Sequence, residues 1–209
     1  MAKTRLLIVR HGGTLLSAED RFAGSTDVAL SDEGRSQAAA LGRRLAATKI
    51  DAAYCSPMQR TRDTAAAILQ PHGMQAEPRD GLREVDHGQW ETMVHKDVEK
   101  RFAAEYAAWS ADPFGYAPPG GETGLSVLNR ALPVYREIIV AHPGQTVLVV
   151  SHKATNRVVI CALLGMDMNS YRDRLGQDLC CLNVMEFKQP AEGQLVVLND
   201  TSHYSNGAI

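Results

Sequence analysis

Three short runs of consecutive apolar residues, "RLLIV" at 5–9, "AAYC" at 52–55 and "TVLVV" at 146–150, constrain the fold of this 209-residue chain most. A strand with one face in water alternates apolar and polar residues. Runs without alternation mark strands covered on both faces, as in a parallel sheet. Parallel neighbours need crossover connections, and helical patterns occupy the intervals. "LSDEGRSQAAALGRRLAAT" opens with Ser31 as N-cap and acids at Asp32 and Glu33, and carries an apolar stripe through Ala38, Leu41 and Leu45. "SPMQRTRDTAAAILQ" places Ser56 at N-cap and Pro57 at the first helical position, with an apolar continuation to Leu69. Further helices are expected over 92–110, 122–141 and 153–164. "LCCLNVMEF" and "GQLVVLN" read as late strands paired antiparallel through a turn at Pro190 to Gly193. The order is mostly βαβα, which makes the class α/β. The Pro/Gly-rich stretch "DPFGYAPPGGET" reads as a surface loop, so residues 1–209 are expected to form one domain.

Two of the strand runs end alike, "LLIVRH" at His11 and "VLVVSH" at His152. Parallel strands bring such ends to one edge, where ligands of open α/β sheets bind. The run "AAYCS" reaches the same edge and enters the helix that carries Arg60 in its first or second turn, where the macrodipole is positive. Gly12 and Gly13 follow the first strand and would let backbone amides approach a ligand. Arg10, Arg60, two imidazoles and a helix start at one edge make a phosphate site by chemistry.

Composition narrows the partners. With 22 Lys and Arg against 24 Asp and Glu there is no global basic field for nucleic acid, so an anion must be met by a few placed cations. The four cysteines form no C-x-x-C pair, and the N-terminal apolar run is too short for a signal peptide. No run approaches a membrane span. The expectation is a cytoplasmic protein with no nucleic-acid or membrane partner, a small phosphorylated metabolite as ligand, and homodimerisation as an open possibility. No H-x-H-x-D or H-E-x-x-H array is present, so neither a metal nor another cofactor is expected.

The ordered set "VRHGGT", "SPMQRTRDTA", "LREVDHGQWE", "PPGGET" and "VVSHKA" resembles the histidine phosphatase superfamily, also called the phosphoglycerate mutase family. The resemblance implies a three-layer α/β/α sandwich with a mainly parallel central sheet. It implies that His11 is the nucleophile that becomes phosphorylated, that Arg10 and Arg60 hold the phosphoryl oxygens, that His152 completes the pocket and that Glu84 donates the proton. The chemistry agrees. Phosphoryl transfer asks mostly for charge stabilisation, and two guanidiniums can each donate paired hydrogen bonds. Neighbouring cations favour the neutral imidazole that must attack. For Glu84, burial and the nearby arginines pull in opposite directions.

Many relatives have Glu or Gln where this chain has Gly13, and a small residue where it has Lys153. The segment after Glu84, with "LNRA", "CALLGMD" and "LNDTSH", is similar to metal-independent phosphoserine phosphatases. The function expected is therefore hydrolysis of a small anionic phosphomonoester such as phosphoserine through a phosphohistidine. A cofactor-dependent phosphoglycerate mutase and a catalytically silent phospho-ligand binding module are the alternatives. Ser17, Gly24, His87, Lys153 and His203 are the candidate substrate-binding residues, with His203 equally readable as part of a frayed tail. The segment 92–121 is expected to act as a lid or cap.

Overall fold

A computed structural model describes residues 3–189 and 193–205. Six strands form one sheet in the order β3-β2-β4-β1-β5-β6: β1 Thr4–Arg10, β2 Ala52–Cys55, β3 Glu77–Pro78, β4 Thr146–Ser151, β5 Leu182–Phe187 and β6 Gly193–Asp200. β1 and β2 both pair parallel with β4, and β2 pairs parallel with β3, whereas β5 runs antiparallel to β1 and β6 antiparallel to β5. Among the described residues the α-helices are α1 Leu15–Ala18, α2 Asp32–Leu45, α3 Gln59–Leu69, α4 His95–Arg101, α5 Ala103–Ala111, α6 Gly124–Ala141, α7 Lys153–Leu163 and α8 Tyr171–Arg174.

The side-chain period of two along a strand builds the layers. Leu6 and Ile8 of β1, with Val147 and Val149 of β4, pack against Ala131, Tyr135 and Ile138 of α6 and Val158 and Val159 of α7. Leu7, Val9, Leu148 and Val150 point the other way, onto Ala38, Leu41 and Leu45 of α2 and Ala65, Ile68 and Leu69 of α3. The result is the expected α/β/α sandwich. A third, smaller cluster of Phe22, Trp90 and Val98, packed with Met93, Phe102, Tyr106 and Trp109, underlies α4 and α5.

Several boundaries differ from expectation. Ser56 does not cap α3. The helix starts at Gln59 after an extended Met58, and the Gln59 N–H donates to Asp27 Oδ1 at 2.8 Å. Ser56 Oγ instead faces His152. The helix expected over 92–110 is two helices broken at Phe102, whose φ of −126° and ψ of 44° turn its ring into the Trp90 cluster. β5 begins at Leu182 rather than Leu179, because Cys180 adopts a φ of +55°. The short β3 had no apolar run to announce it. Of the expected turn at 190–193, residues 190–192 lie outside the described residues. Among the described residues no helix is long and apolar enough to cross a membrane.

Candidate active site

β1 and β4 end side by side, with Arg10 paired to Ser151, so His11 and His152 emerge together beyond the sheet edge. Their ring centroids are 5.2 Å apart in an edge-on arrangement. The His11 main chain is bound on both sides, its N–H to Ser151 O at 3.0 Å and its C=O accepting from Cys180 N–H at 3.0 Å. The ring is buried, and Nδ1 lies 2.8 Å from Gly12 O. A carbonyl only accepts, so Nδ1 carries the proton and Nε2 is left with a lone pair. Burial, then the charges of Arg60 and Arg10, hold the His11 pKa well below the ordinary imidazole range, against the raising effect of the Gly12 bond. The ring is therefore neutral at physiological pH, as a nitrogen nucleophile must be.

The two arginines are not equivalent. Arg10 Nη1 donates to Gln177 O at 2.6 Å, while its Nε is buried with no protein partner among the described residues. The side-on edge of its guanidinium is thus available as a fork for an oxyanion. Arg60 is fully buried, and four of the five N–H groups of a guanidinium are met by protein. Nε donates to His152 Nδ1 at 3.3 Å, Nη1 to Thr26 O at 2.9 Å, and Nη2 to Gly24 O at 2.8 Å and Ala23 O at 3.4 Å. Sequence reasoning expected paired bonds from both arginines. Arg60 retains one N–H and its charge.

His152 spends both ring nitrogens within the protein. Because Arg60 Nε–H needs an acceptor at Nδ1, Nε2 bears the proton and donates to Ser56 Oγ at 2.8 Å. Burial and then Arg60 hold its pKa well below the ordinary range. Glu84 enters from the other side. Its Oε1 accepts from Val85 N–H at 3.0 Å and Thr155 N–H at 3.2 Å, and Oε2 accepts from Ala154 N–H at 3.1 Å. The first amides of α7 are thereby taken by a carboxyl group of the protein itself. Oε2, with the single donor, is the oxygen with room for a proton.

Gly12 and Gly13 act differently from expectation. Their amides do not face a ligand: they donate to Thr64 Oγ1 at 3.1 Å and Gln37 Oε1 at 3.0 Å. What the glycines permit is contact with α2, since a Cβ on Gly12 would sit 2.5 Å from Gly34 O.

Arg10, His11 and Glu84 line a cavity of about 470 Å³, together with Lys153, Arg157, Tyr171, Phe22, His87, His95 and Trp109. Of the candidate substrate-binding residues, Ser17, His87 and Lys153 line it and Gly24 and His203 do not. The Ser17 hydroxyl is engaged in a capping box, donating to Thr14 O and accepting from Thr14 N–H, each at 2.8 Å. Gly24 works through its backbone: its C=O receives Arg60, and a Cβ there would lie within 1.9 Å of Val85 O. His203 packs edge-on against Tyr204, under the charges of Arg44 and Asp200. The His87 Nδ1 is buried without a partner among the described residues, and burial lowers its pKa.

Two side chains that sequence reasoning did not single out organise the site. Glu91 accepts from the N–H groups of Gly24, Ser25, Thr26 and His87 and from the Thr26 hydroxyl, tying the loop that seats Arg60 to the segment after Glu84. Arg130 donates to the carbonyls of Gly81, Arg83 and Glu84 and forks onto Glu122 at 2.8–2.9 Å. Both lie inside the quoted motifs "HGQWE" and "LNRA", but nothing in their spacing marks them as clamps.

Residues 6–201 match the family model described as histidine phosphatase superfamily (branch 1). The chain belongs to the histidine phosphatase superfamily. It is 32% identical over 199 residues to phosphoserine phosphatase 1 of Hydrogenobacter thermophilus, covering 95% of this chain and 93% of that one. It is also 32% identical over 178 residues to glucosyl-3-phosphoglycerate phosphatase of Mycolicibacterium vanbaalenii, covering 82% of this chain and 79% of that one. The solved structure of Bacillus stearothermophilus YhfR superposes with a TM-score of 0.88 at 28% identity, covering 96% of this chain and 98% of that one. Membership and these relatives make the protein a phosphoric monoester hydrolase of the superfamily.

Proposed function

We propose that the protein hydrolyses a small anionic phosphomonoester, of which phosphoserine is the model, through a phosphohistidine on His11. The observation that carries this reading is the 2.8 Å contact from His11 Nδ1 to Gly12 O, which directs the lone pair to Nε2 beside the open fork of Arg10. Nε2 attacks phosphorus, and the bond from phosphorus to the ester oxygen breaks. Arg10 gathers two of the equatorial oxygens, and Arg60 adds one N–H and its charge. Glu84 Oε2 gives its proton to the departing alkoxide. Water then attacks the phosphohistidine, returns a proton to Glu84 and breaks the P–N bond to release phosphate. His95 of α4, Trp109 of α5 and Pro113 after it line the cavity, which supports a lid role for this segment.

The anionic substrate is supported by the cationic wall of the cavity and by the phosphoserine phosphatase among the relatives. Glucosyl-3-phosphoglycerate, named for the other relative, also carries a carboxylate in its leaving group. Initial rates on phosphoserine, 3-phosphoglycerate, α-ribazole phosphate and p-nitrophenyl phosphate test the reading. A higher kcat/KM for the carboxylate esters than for the other two supports it, and the reverse order overturns it.

A further inference from the structure

The cavity is lined by more side chains than the reaction uses, and several of them lie on α7. Lys153 and Arg157 are four residues apart on this helix, so they sit one turn from each other on one face, and both line the cavity. Two like charges in that relation destabilise a helix when nothing lies between them. None of the ion pairs among the described residues includes either side chain. Arg157 is nevertheless held in place, with Nε donating to Leu175 O at 2.6 Å. That bond fixes the guanidinium plane and leaves its two Nη groups without a protein acceptor among the described residues. They form an end-on fork.

The acidic groups nearby have other partners, although Asp173 also lines the cavity and its charge reaches Arg157. Glu84 is bound to the amides of α7, Asp178 accepts from Asn199 Nδ2 at 2.7 Å, and the exposed Asp173 leans on Arg172 at 3.4 Å. Arg172 itself donates to Ser110 O at 2.8 Å and stacks over Trp109 at 5.0 Å, so it is a wall rather than a free cation. Glu84 takes the Ala154 and Thr155 amides at the start of α7, which leaves side chains as the main donors for an anion on this wall. Burial, then the charges of Arg10 and Arg157, lower the pKa of Lys153 against the raising charges of Glu84 and Asp178, so Lys153 and Arg157 repel. An anion between them relieves that repulsion.

We propose that Lys153 and Arg157 form a second anion subsite that takes a carboxylate or a second phosphate of the leaving group, which makes Arg157 a specificity-determining residue. The proposal rests on the reading that the substrate is an anionic phosphomonoester. It places the reacting phosphoryl group at Arg10 and His11 and the second anion about one helical turn further along α7.

Matched pairs of esters provide the test: phosphoserine against phosphoethanolamine, 3-phosphoglycerate against glycerol 3-phosphate, and fructose 1,6-bisphosphate against fructose 6-phosphate. The first two pairs differ by a carboxylate and the third by a second phosphate, so they show which anion the subsite takes. The parent enzyme should favour the anionic member of at least one pair in kcat/KM. Arg157→Gln and Lys153→Gln should each cut that preference about tenfold, the order of one charge-assisted hydrogen bond. Arg157→Lys should restore part of it. Lys153 is exposed, so its variant tests the subsite even if Arg157→Gln does not fold. A parent without preference in any pair overturns the anionic-substrate reading and the subsite with it. A parent preference that survives in both Gln variants overturns the subsite and leaves the reading intact.

Discussion

Glu91 offers a perturbation whose effect can be worked from the structure. Its carboxylate receives four backbone N–H groups and the Thr26 hydroxyl, at 2.6–3.2 Å, and the carbonyls of Gly24 and Thr26 in that same loop receive Arg60. Each hydrogen bond to a charged group contributes about 1.5–3 kcal/mol. The site is only half-buried, and water replaces part of what is lost, so Glu91→Ala should destabilise the fold by about 2–4 kcal/mol. Glu91→Gln keeps the shape and one carbonyl oxygen and should cost about 1–2 kcal/mol. Burial raises the Glu91 pKa, but the bonds from the Thr26 hydroxyl and from the His87, Ser25 and Thr26 amides outweigh it, so the folded value is lowered. The unfolded carboxyl, with a pKa of about 4.3, then binds more protons than the folded one between the two values. Stability from Glu91 is fully present above the unfolded value and is lost as pH falls through the folded one. Urea unfolding of the parent and Glu91→Gln should therefore show a gap that is widest near neutrality and closes in acid, together with a kcat/KM reduced about tenfold as Arg60 loses its seat. A gap that does not change with pH, or a variant that loses stability at full kcat/KM, would refute the clamp.

Activity should persist in excess EDTA, because guanidiniums supply the charge that a divalent metal supplies in other phosphatases, and vanadate should inhibit at concentrations well below KM. Loss of activity in EDTA with recovery on adding metal would contradict this. The acid limb of kcat/KM assigned to His11 should lie below the ordinary imidazole pKa of about 6.5, since the ring is held neutral in the folded protein. A limb at or above that value, removed by no other substitution, would count against the lone pair on Nε2. Ser56→Ala leaves the buried His152 Nε2–H without its acceptor and should cost about 1–3 kcal/mol in thermal unfolding.

The parallel sheet and the α/β class were legible because three unalternating runs mark strands covered on both faces, and the shared edge of two of them brings His11 and His152 together; the three layers followed from the family resemblance. Arg60 was legible through its place at a helix start. The division of labour between the two arginines was not, because it depends on the carbonyls of Gly24 and Thr26, which come from a loop with no pattern of its own. Ser56 shows the limit of a capping rule: a serine before Pro57 has the right chemistry for a cap, but Asp27, distant in sequence, supplies the oxygen to the Gln59 amide and frees Ser56 for His152. The α4 and α5 boundary failed for a similar reason, since Phe102 is drawn out of helical geometry by the Trp90 cluster. Arg157 was passed over because a lysine beside the second histidine is conspicuous in sequence, whereas an arginine one turn later shows its role only when its neighbours are seen to be committed elsewhere.

The central claim is that His11 Nε2 forms a covalent bond to phosphorus. Rapid quench of the enzyme with ³²P-labelled phosphoserine or labelled p-nitrophenyl phosphate, followed by denaturation in base and in acid, tests it most directly. The account predicts a labelled protein that survives base and loses its label in acid, with the label on His11 by peptide mapping and no labelling of His11→Ala. Label that survives acid, or label on His11→Ala, would contradict it.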